Sequence, residues 1–121
     1  FDLVMSSELI QHVRPEGVRK ALSEMKRALR PGGTLLLIVK NGENPLKKET
    51  PNPINWFTRK SLSAMLAKDF TVSFYGDRLM PDLLTAAMAR PVSGAFEKTD
   101  SALSDRLIKY CDSIIAVGVK K

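Results

Sequence analysis

Apolar positions along the chain cluster into four short runs, and each run predicts a β-strand. Residues 1–5, FDLVM, and residues 34–40, TLLLIVK, are almost continuously apolar, which is typical of strands that are covered on both faces. Residues 70–79, FTVSFYGDRL, begin with strict alternation of apolar and polar side chains, the period of a half-buried strand. A last apolar run, SIIAVGVKK at 113–121, predicts a fourth strand.

Helical spacing appears between the first two strands. Pro15 suits the first turn of a helix, and Pro31, Gly32 and Gly33 suit its end. The pattern therefore predicts a helix over residues 15–30 with one apolar stripe, formed by Val18, Leu22, Met25 and Leu29.

The remaining helices are less regular in sequence. Thr58 is a natural N-cap for a short helix that leads into the third strand. Residues 80–98 are compatible with a helix that starts at Pro81 and a loop behind it, and residues 99–110 predict a further helix.

The order strand, helix, strand indicates an α/β fold with a parallel first pair of strands. Residues 41–55 carry three prolines and form a long predicted loop, and long loops in compact domains are often functional. Neither a repeat nor a linker divides the chain, so residues 1–121 are expected to be one partial domain.

Composition narrows the class of protein without deciding its function. Apolar residues make up 44% of the chain and charged residues 26%, and the apolar runs are far shorter than the roughly 18 to 20 residues that span a bilayer. A single cysteine, Cys111, cannot form an internal disulfide, which fits a reducing cytoplasm. The net charge of +6 is spread along the sequence, with pairs of lysines only at 47–48 and 120–121. Solvated surface charge is therefore favoured over a dedicated nucleic-acid surface.

Three stretches together resemble a known family. FDLVMSSELIQHV, ALRPGGTLLLIV and WFTRKSLSAMLAKDFTV are similar, in order and spacing, to the C-terminal half of class I S-adenosylmethionine-dependent methyltransferases. The resemblance implies a Rossmann-like methyltransferase sheet, with the chain supplying strands 4 to 7 and their flanking helices. It covers residues 1–75 and 113–120 and is silent on 80–112.

In that family, a glycine-rich turn and an acidic residue hold the cofactor, and both precede the strand that corresponds to residues 1–5. The resemblance therefore implies that the cofactor-binding half lies upstream of Phe1. It also implies an exposed first strand, which is a hazard for association. The expected partners are a small-molecule methyl acceptor, and either a second copy of the chain or the missing N-terminal half.

Candidate site residues follow the first strand. Ligands bind at the carboxyl ends of strands in open α/β sheets, so Ser6 and Ser7 are expected to contact the cofactor and Glu8 to act in catalysis. His12 is the second catalytic candidate, as a general base. The alternative for His12 is a hydrogen-bonded residue that packs this loop.

Some similar methyltransferases carry E-x-x-E-H at this place and bind a divalent metal with it. Here Gln11 stands where the second glutamate would be, which removes a charge from any hard-cation site. No metal is therefore predicted.

The sequence favours an S-adenosylmethionine-dependent methyltransferase that acts on a small molecule, and it leaves open whether oxygen, nitrogen or carbon is methylated. The first alternative is a non-catalytic module that docks a partner through its first strand. The second is a nucleic-acid methyltransferase, suggested only by the charge.

Overall fold

A computed structural model describes residues 1–45, 54–79 and 107–121 of the chain. The helices predicted at Pro81 and over 99–110 lie outside these residues, apart from a short helical end at 107–108 that is followed by a turn at 109–110. The described elements, in chain order, are β1 (Leu3–Ser7), a 3₁₀ turn (Ile10–His12), α1 (Pro15–Ala28), β2 (Thr34–Lys40), α2 (Arg59–Leu66), β3 (Phe70–Leu79) and β4 (Cys111–Lys120).

The four strands form one mixed sheet in the order β1-β2-β4-β3. β1 pairs in parallel with β2, whereas β4 lies between β2 and β3 and runs antiparallel to both. All four predicted strands are confirmed, and with them the α/β fold class. None of the helices within the described ranges is long and apolar enough to cross a membrane.

The hydrophobic core lies on one face of this sheet, under α1 and α2. The predicted stripe of α1 is confirmed, because Val18 and Leu22 are buried and Met25 packs against the same cluster. Each fully buried leucine or valine is worth about 1.5 to 3 kcal/mol, so this packing holds both helices on the sheet. The other buried apolar side chains of the core are Ile10, Leu29, Leu35, Leu37, Val39, Phe57, Leu62, Leu66, Phe70, Ile108, Ile114 and Ala116.

The opposite face of the sheet, here called the open face, carries apolar side chains that reach water. The strand register places Leu36 and Val117 side by side on it. Leu3 is 56% and Met5 is 61% exposed. The apolar run alone is typical of a strand covered on both faces, but this exposure agrees with the exposed first strand that the family resemblance implies. The exposure arises because α1 and α2 both bury their apolar residues against the core face. The open face comprises Leu3, Met5, Leu36, Ile38, Tyr75, Ile115, Val117 and Val119.

The lysine pair at the end of β4 caps the two helices. Lys120 Nζ donates to the carbonyls of Lys26, at 2.7 Å, and Leu29, at 2.5 Å, where α1 ends. Lys121 Nζ donates to Ala67 O at 2.7 Å, just after α2. Cations are stabilising at helix C-termini, so one of the basic pairs in the sequence has a structural role.

α2 begins where the sequence predicts. Thr58 Oγ1 accepts from the backbone N–H of Ser61 at 3.0 Å, and Ser61 Oγ accepts from the backbone N–H of Thr58 at 2.9 Å. This reciprocal pair is a capping box, and it confirms Thr58 as the N-cap.

Candidate functional site

A pocket of about 220 Å³ opens at the end of the sheet where β1 and β2 finish. The strand pairing explains its composition. Lys40 of β2 and Asp77 of β3 both pair with Ser113 of β4, and Ser7 of β1 pairs with Ile38. All five side chains lie on the same side of the sheet as the open face. We call this the edge pocket, and its lining residues are Ser7, Glu8, Ile38, Lys40, Asp77 and Ser113.

Glu8 lies at the mouth of the edge pocket in an uncommon backbone conformation. Its φ is 52°, in the left-handed region that costs non-glycine residues free energy. Its N–H donates to Ile38 O at 2.8 Å, and its Oε1 lies 3.4 Å from Lys40 Nζ. Backbone strain of this kind is concentrated at functional sites, which makes Glu8 the strongest candidate among the predicted residues.

Gln11 supports the pocket from behind. It is buried, with 2% of its surface exposed, and its Oε1 accepts from the backbone N–H of Lys40 at 2.6 Å. Asn55 adds a second tie, because its N–H donates to Gln11 O at 2.9 Å. The residue that stands in place of a metal-binding glutamate therefore joins the 3₁₀ turn to the end of β2.

His12 is exposed, and it does not line the edge pocket. Its Nε2 lies 3.4 Å from Gln11 Nε2, a contact with a residue that packs this turn. Within the described ranges, no three His, Cys, Asp or Glu side chains are grouped so that they could hold a metal ion.

The two predicted cofactor-binding serines lie on different faces of β1. Ser7 is exposed and lines the edge pocket. Ser6 is 4% exposed, its side chain is on the core face, and its hydroxyl has no hydrogen-bond partner in the described part of the chain. Strand alternation produces this difference, so geometry favours Ser7 over Ser6, although both roles stay predictions.

A buried asparagine that sequence reasoning missed holds the loop beyond β2. Asn41 is fully buried, and its Nδ2 donates to Ile108 O at 2.9 Å and to Cys111 O at 2.8 Å. Its Oδ1 accepts from Glu43 N at 2.9 Å. Asparagine side chains commonly form hydrogen bonds with nearby backbone groups in turns. An asparagine directly after a predicted strand is therefore the sequence signal that could have identified Asn41.

Glu43 extends this bracing to α2. Arg59 donates to it through Nε at 2.9 Å, through Nη2 at 3.2 Å and through its backbone N–H at 3.1 Å. Partial burial raises the pKa of the Glu43 carboxyl, but the hydrogen bonds and positive charge of Arg59 outweigh it and hold the pKa below its usual value.

Cys111 lies at the start of β4, close beneath β3. A Cβ added at Gly76 would come within 2.3 Å of its Sγ, so glycine is required there for the two strands to approach. Burial raises the pKa of the Cys111 thiol to about 11, and the side chain is therefore an unreactive part of the core.

Comparison with known proteins places this geometry in context. Residues 1–37 match the sequence model of a family described as "Methyltransferase domain". A solved structure titled as a SAM dependent methyltransferase from Archaeoglobus fulgidus superposes with a TM-score of 0.60 at 15% identity, over 99% of this chain and 59% of that one. The chain has a Rossmann-like methyltransferase fold. This confirms the resemblance seen in the sequence.

A second match is the crystal structure of MccD protein, with a TM-score of 0.53 and 16% identity over 100% of this chain and 61% of that one. No curated protein sequence matches the chain. The chain thus spans about 60% of the length of these two structures.

The described residues do not by themselves fit the whole of S-adenosylmethionine. The connection from β1 to α1, residues 8–14, contains no glycine, so it offers no turn at which backbone can approach a ligand as closely as a glycine-rich strand-to-helix turn does. The edge pocket provides carboxylates, hydroxyls and an ammonium group. These groups can form hydrogen bonds and ionic contacts with a small polar ligand.

Proposed function

We propose that this chain is the acceptor-binding part of a cytoplasmic S-adenosylmethionine-dependent methyltransferase that acts on a small molecule. The observation that carries the proposal is the edge pocket, which lies at the carboxyl ends of β1 and β2, where open α/β sheets bind ligands. The match of residues 1–37 to a methyltransferase domain supports the reaction class. S-adenosylmethionine would supply the methyl group from its sulfonium.

Within this proposal, the described residues position the acceptor. Ser7 and Ser113 offer hydroxyls to it, and Glu8 is the group placed to accept a proton from it. Lys40 orients the Glu8 carboxylate from 3.4 Å. His12 is exposed and does not line the pocket, so its role as a base stays a prediction from the sequence.

A cofactor-binding half is the partner that we propose for the open face. β1 is an edge strand of the described sheet, and two of its side chains, Leu3 and Met5, are more than half exposed. An apolar sheet face together with an unpaired strand edge is the surface against which a further strand and its helices can pack. Such a half would also complete the wall of the edge pocket.

The same observation supports a second candidate function, a non-catalytic module that docks a partner, or a second copy of itself, through β1. The nucleic-acid alternative loses some support, because Lys120 and Lys121, one of the two lysine pairs, donate to helix carbonyls.

A methyl-transfer assay tests the proposal. The protein is expressed from the reading frame that contains these residues, with radiolabelled S-adenosylmethionine and pooled small-molecule acceptors. Label should enter a small molecule, and Glu8→Gln should reduce the rate by about 10² or more, the typical contribution of acid–base catalysis. Glu16→Gln removes an exposed carboxylate on α1 and is the matched control. Label found only in nucleic acid, or an unchanged rate in Glu8→Gln, would contradict the proposal.

Cofactor binding by the isolated chain is a separate test of whether this chain holds S-adenosylmethionine without a partner. Calorimetry with S-adenosylmethionine should detect no binding, because the described residues provide no cradle for it. A micromolar dissociation constant, about −8 kcal/mol, would show that this chain holds the cofactor without a partner.

A further inference from the structure

We propose that the edge pocket selects an acceptor that carries a positively charged nitrogen, and that Asp77 and Ser113 hold this nitrogen. The inference rests on the proposed function and specifies the class of acceptor. It assigns a binding role to two residues on β3 and β4, which are distant in sequence from Glu8.

The first argument is the sign of the charge. Among the described residues, the pocket is lined by two acidic side chains, Glu8 and Asp77, and one basic side chain, Lys40. This described lining therefore has an acidic excess, although the whole chain carries a net charge of +6. A local reversal of sign concentrates ligands of the opposite charge.

The second argument is which carboxylate is available to a ligand. Glu8 lies 3.4 Å from Lys40 Nζ, so its charge is already partly balanced. Asp77 is exposed, and its carboxylate makes no ion pair or side-chain hydrogen bond within the described ranges. Among the described side chains of the pocket, the carboxylate without an ionic partner is thus on β3.

The third argument is a hydroxyl that opens to the pocket. Ser113 is 4% exposed as a residue, yet it lines the pocket and makes no side-chain hydrogen bond to the described residues. Its oxygen is not one of the fully buried polar atoms without a partner, so it can bond a ligand that enters the pocket. In the strand register Ser113 pairs with Asp77, so an N–H donor held by the carboxylate is also within the reach of the hydroxyl.

The fourth argument concerns shape. Ile38 gives the pocket one apolar wall beside these polar groups, and the volume of about 220 Å³ suits a small head group. An alkylammonium group matches this combination, since its carbon chain can contact Ile38 while its N–H groups meet Asp77 and Ser113.

Three probes of similar size and different charge test the proposal on the chain itself. Ethanolamine is a cation, ethylene glycol is neutral and glycolate is an anion, and each is titrated into isotope-labelled protein while amide shifts are followed by NMR. Ethanolamine should give saturable shifts at Ser7, Ile38 and Ser113, with weaker shifts from the other two. Tighter binding of glycolate, or no saturable shift from ethanolamine, would overturn the inference.

Variants then assign the binding to its residues. Asp77→Asn should weaken ethanolamine binding roughly fivefold, the effect expected of one partly solvated ion pair. Asp112→Asn is the matched control, because Asp112 adjoins Ser113 but alternates to the other face of β4 and does not line the pocket. Equal weakening by both variants would reduce the effect to overall charge and contradict the assignment. Ser113→Ala should weaken binding while leaving the spectrum otherwise dispersed.

The outcomes distinguish this inference from the proposed function. Selective ethanolamine binding without methyl transfer by the longer protein would leave the charge selectivity standing and remove the methyltransferase proposal. Methyl transfer by the longer protein to neutral or anionic acceptors alone would leave the methyltransferase proposal standing and remove the charge selectivity.

Discussion

Glu8 offers a test of whether the edge pocket stores backbone strain. Its φ of 52° costs a side chain with a Cβ roughly 1 to 2 kcal/mol, and glycine pays no such cost. Glycine, however, makes the unfolded chain more flexible, which removes about 0.4 to 1 kcal/mol of stability relative to alanine. Glu8→Gly should therefore be more stable than Glu8→Ala by about 0.5 to 1 kcal/mol.

Comparison of these two variants isolates the backbone contribution. Both lose the pairing of Glu8 with Lys40, in which the side chains are 52% and 36% exposed, a pair worth under about 1 kcal/mol. The free energy of unfolding is measured with urea, by fluorescence of the single tryptophan, Trp56. Equal slopes of the free energy against urea concentration confirm that the variants unfold from similarly compact states.

A control position should show the opposite sign. Lys20 is exposed in the interior of α1, where glycine is less favourable than alanine by about 1 kcal/mol. Lys20→Gly should consequently be less stable than Lys20→Ala. If glycine is also the less stable substitution at Glu8, the left-handed conformation is not a cost to the fold, and the argument from strain to function fails.

Three further predictions concern the rest of the molecule. Lys120→Met should reduce the free energy of unfolding by about 1 to 2 kcal/mol, since it removes two charged hydrogen bonds to the end of α1, whereas Lys20→Met should change it by less than about 0.5 kcal/mol. The pKa of Glu43 is below the usual glutamate value of 4.5, so the ionised carboxylate stabilises the fold at pH values above 4.5. The difference in free energy of unfolding between the wild type and Glu43→Gln should therefore shrink as the pH falls below 4.5. A difference that does not change with pH would contradict this. The isolated chain should self-associate in sedimentation velocity experiments. Met5→Lys should shift the chain towards the 13.4 kDa monomer, because the variant places a charge on the exposed face of β1. A wild type that is monomeric at high concentration would refute the exposed-face argument.

The sequence predicted helices and strands well wherever one short-range pattern, such as helical spacing or a capping residue, was dominant. The stripe that begins at Val18 and the capping signal at Thr58 depend on neighbours within a turn or two, and both are confirmed. The edge pocket depends instead on β4 inserting between β2 and β3. No local pattern encodes that order, and it alone brings Asp77 and Ser113 to Lys40.

Two other differences between the sequence predictions and the structure arise from the geometry of single residues. Ser6 and Ser7 are equivalent in a sequence motif, but strand alternation sends their side chains to opposite faces. Gln11 differs from a metal-binding motif by one atom type, and only the structure shows its carbonyl oxygen bonded to the N–H of Lys40. Motif reasoning recognised the departure but had no means to find the new partner.

The late position of β4 in the sequence has a consequence for folding. β2 pairs with β4 although more than seventy residues separate Lys40 from Ser113 along the chain, and such distant pairings are slow to form because a long loop must close first. During synthesis, β2 and β3 would leave the ribosome with unpaired edges and wait for β4. The edge pocket takes Glu8 from directly after β1, the first described strand, and Ser113 from β4, the last described one. We therefore expect ligand-binding competence to appear only after β4 has been added, and molecular chaperones to be needed most in that interval.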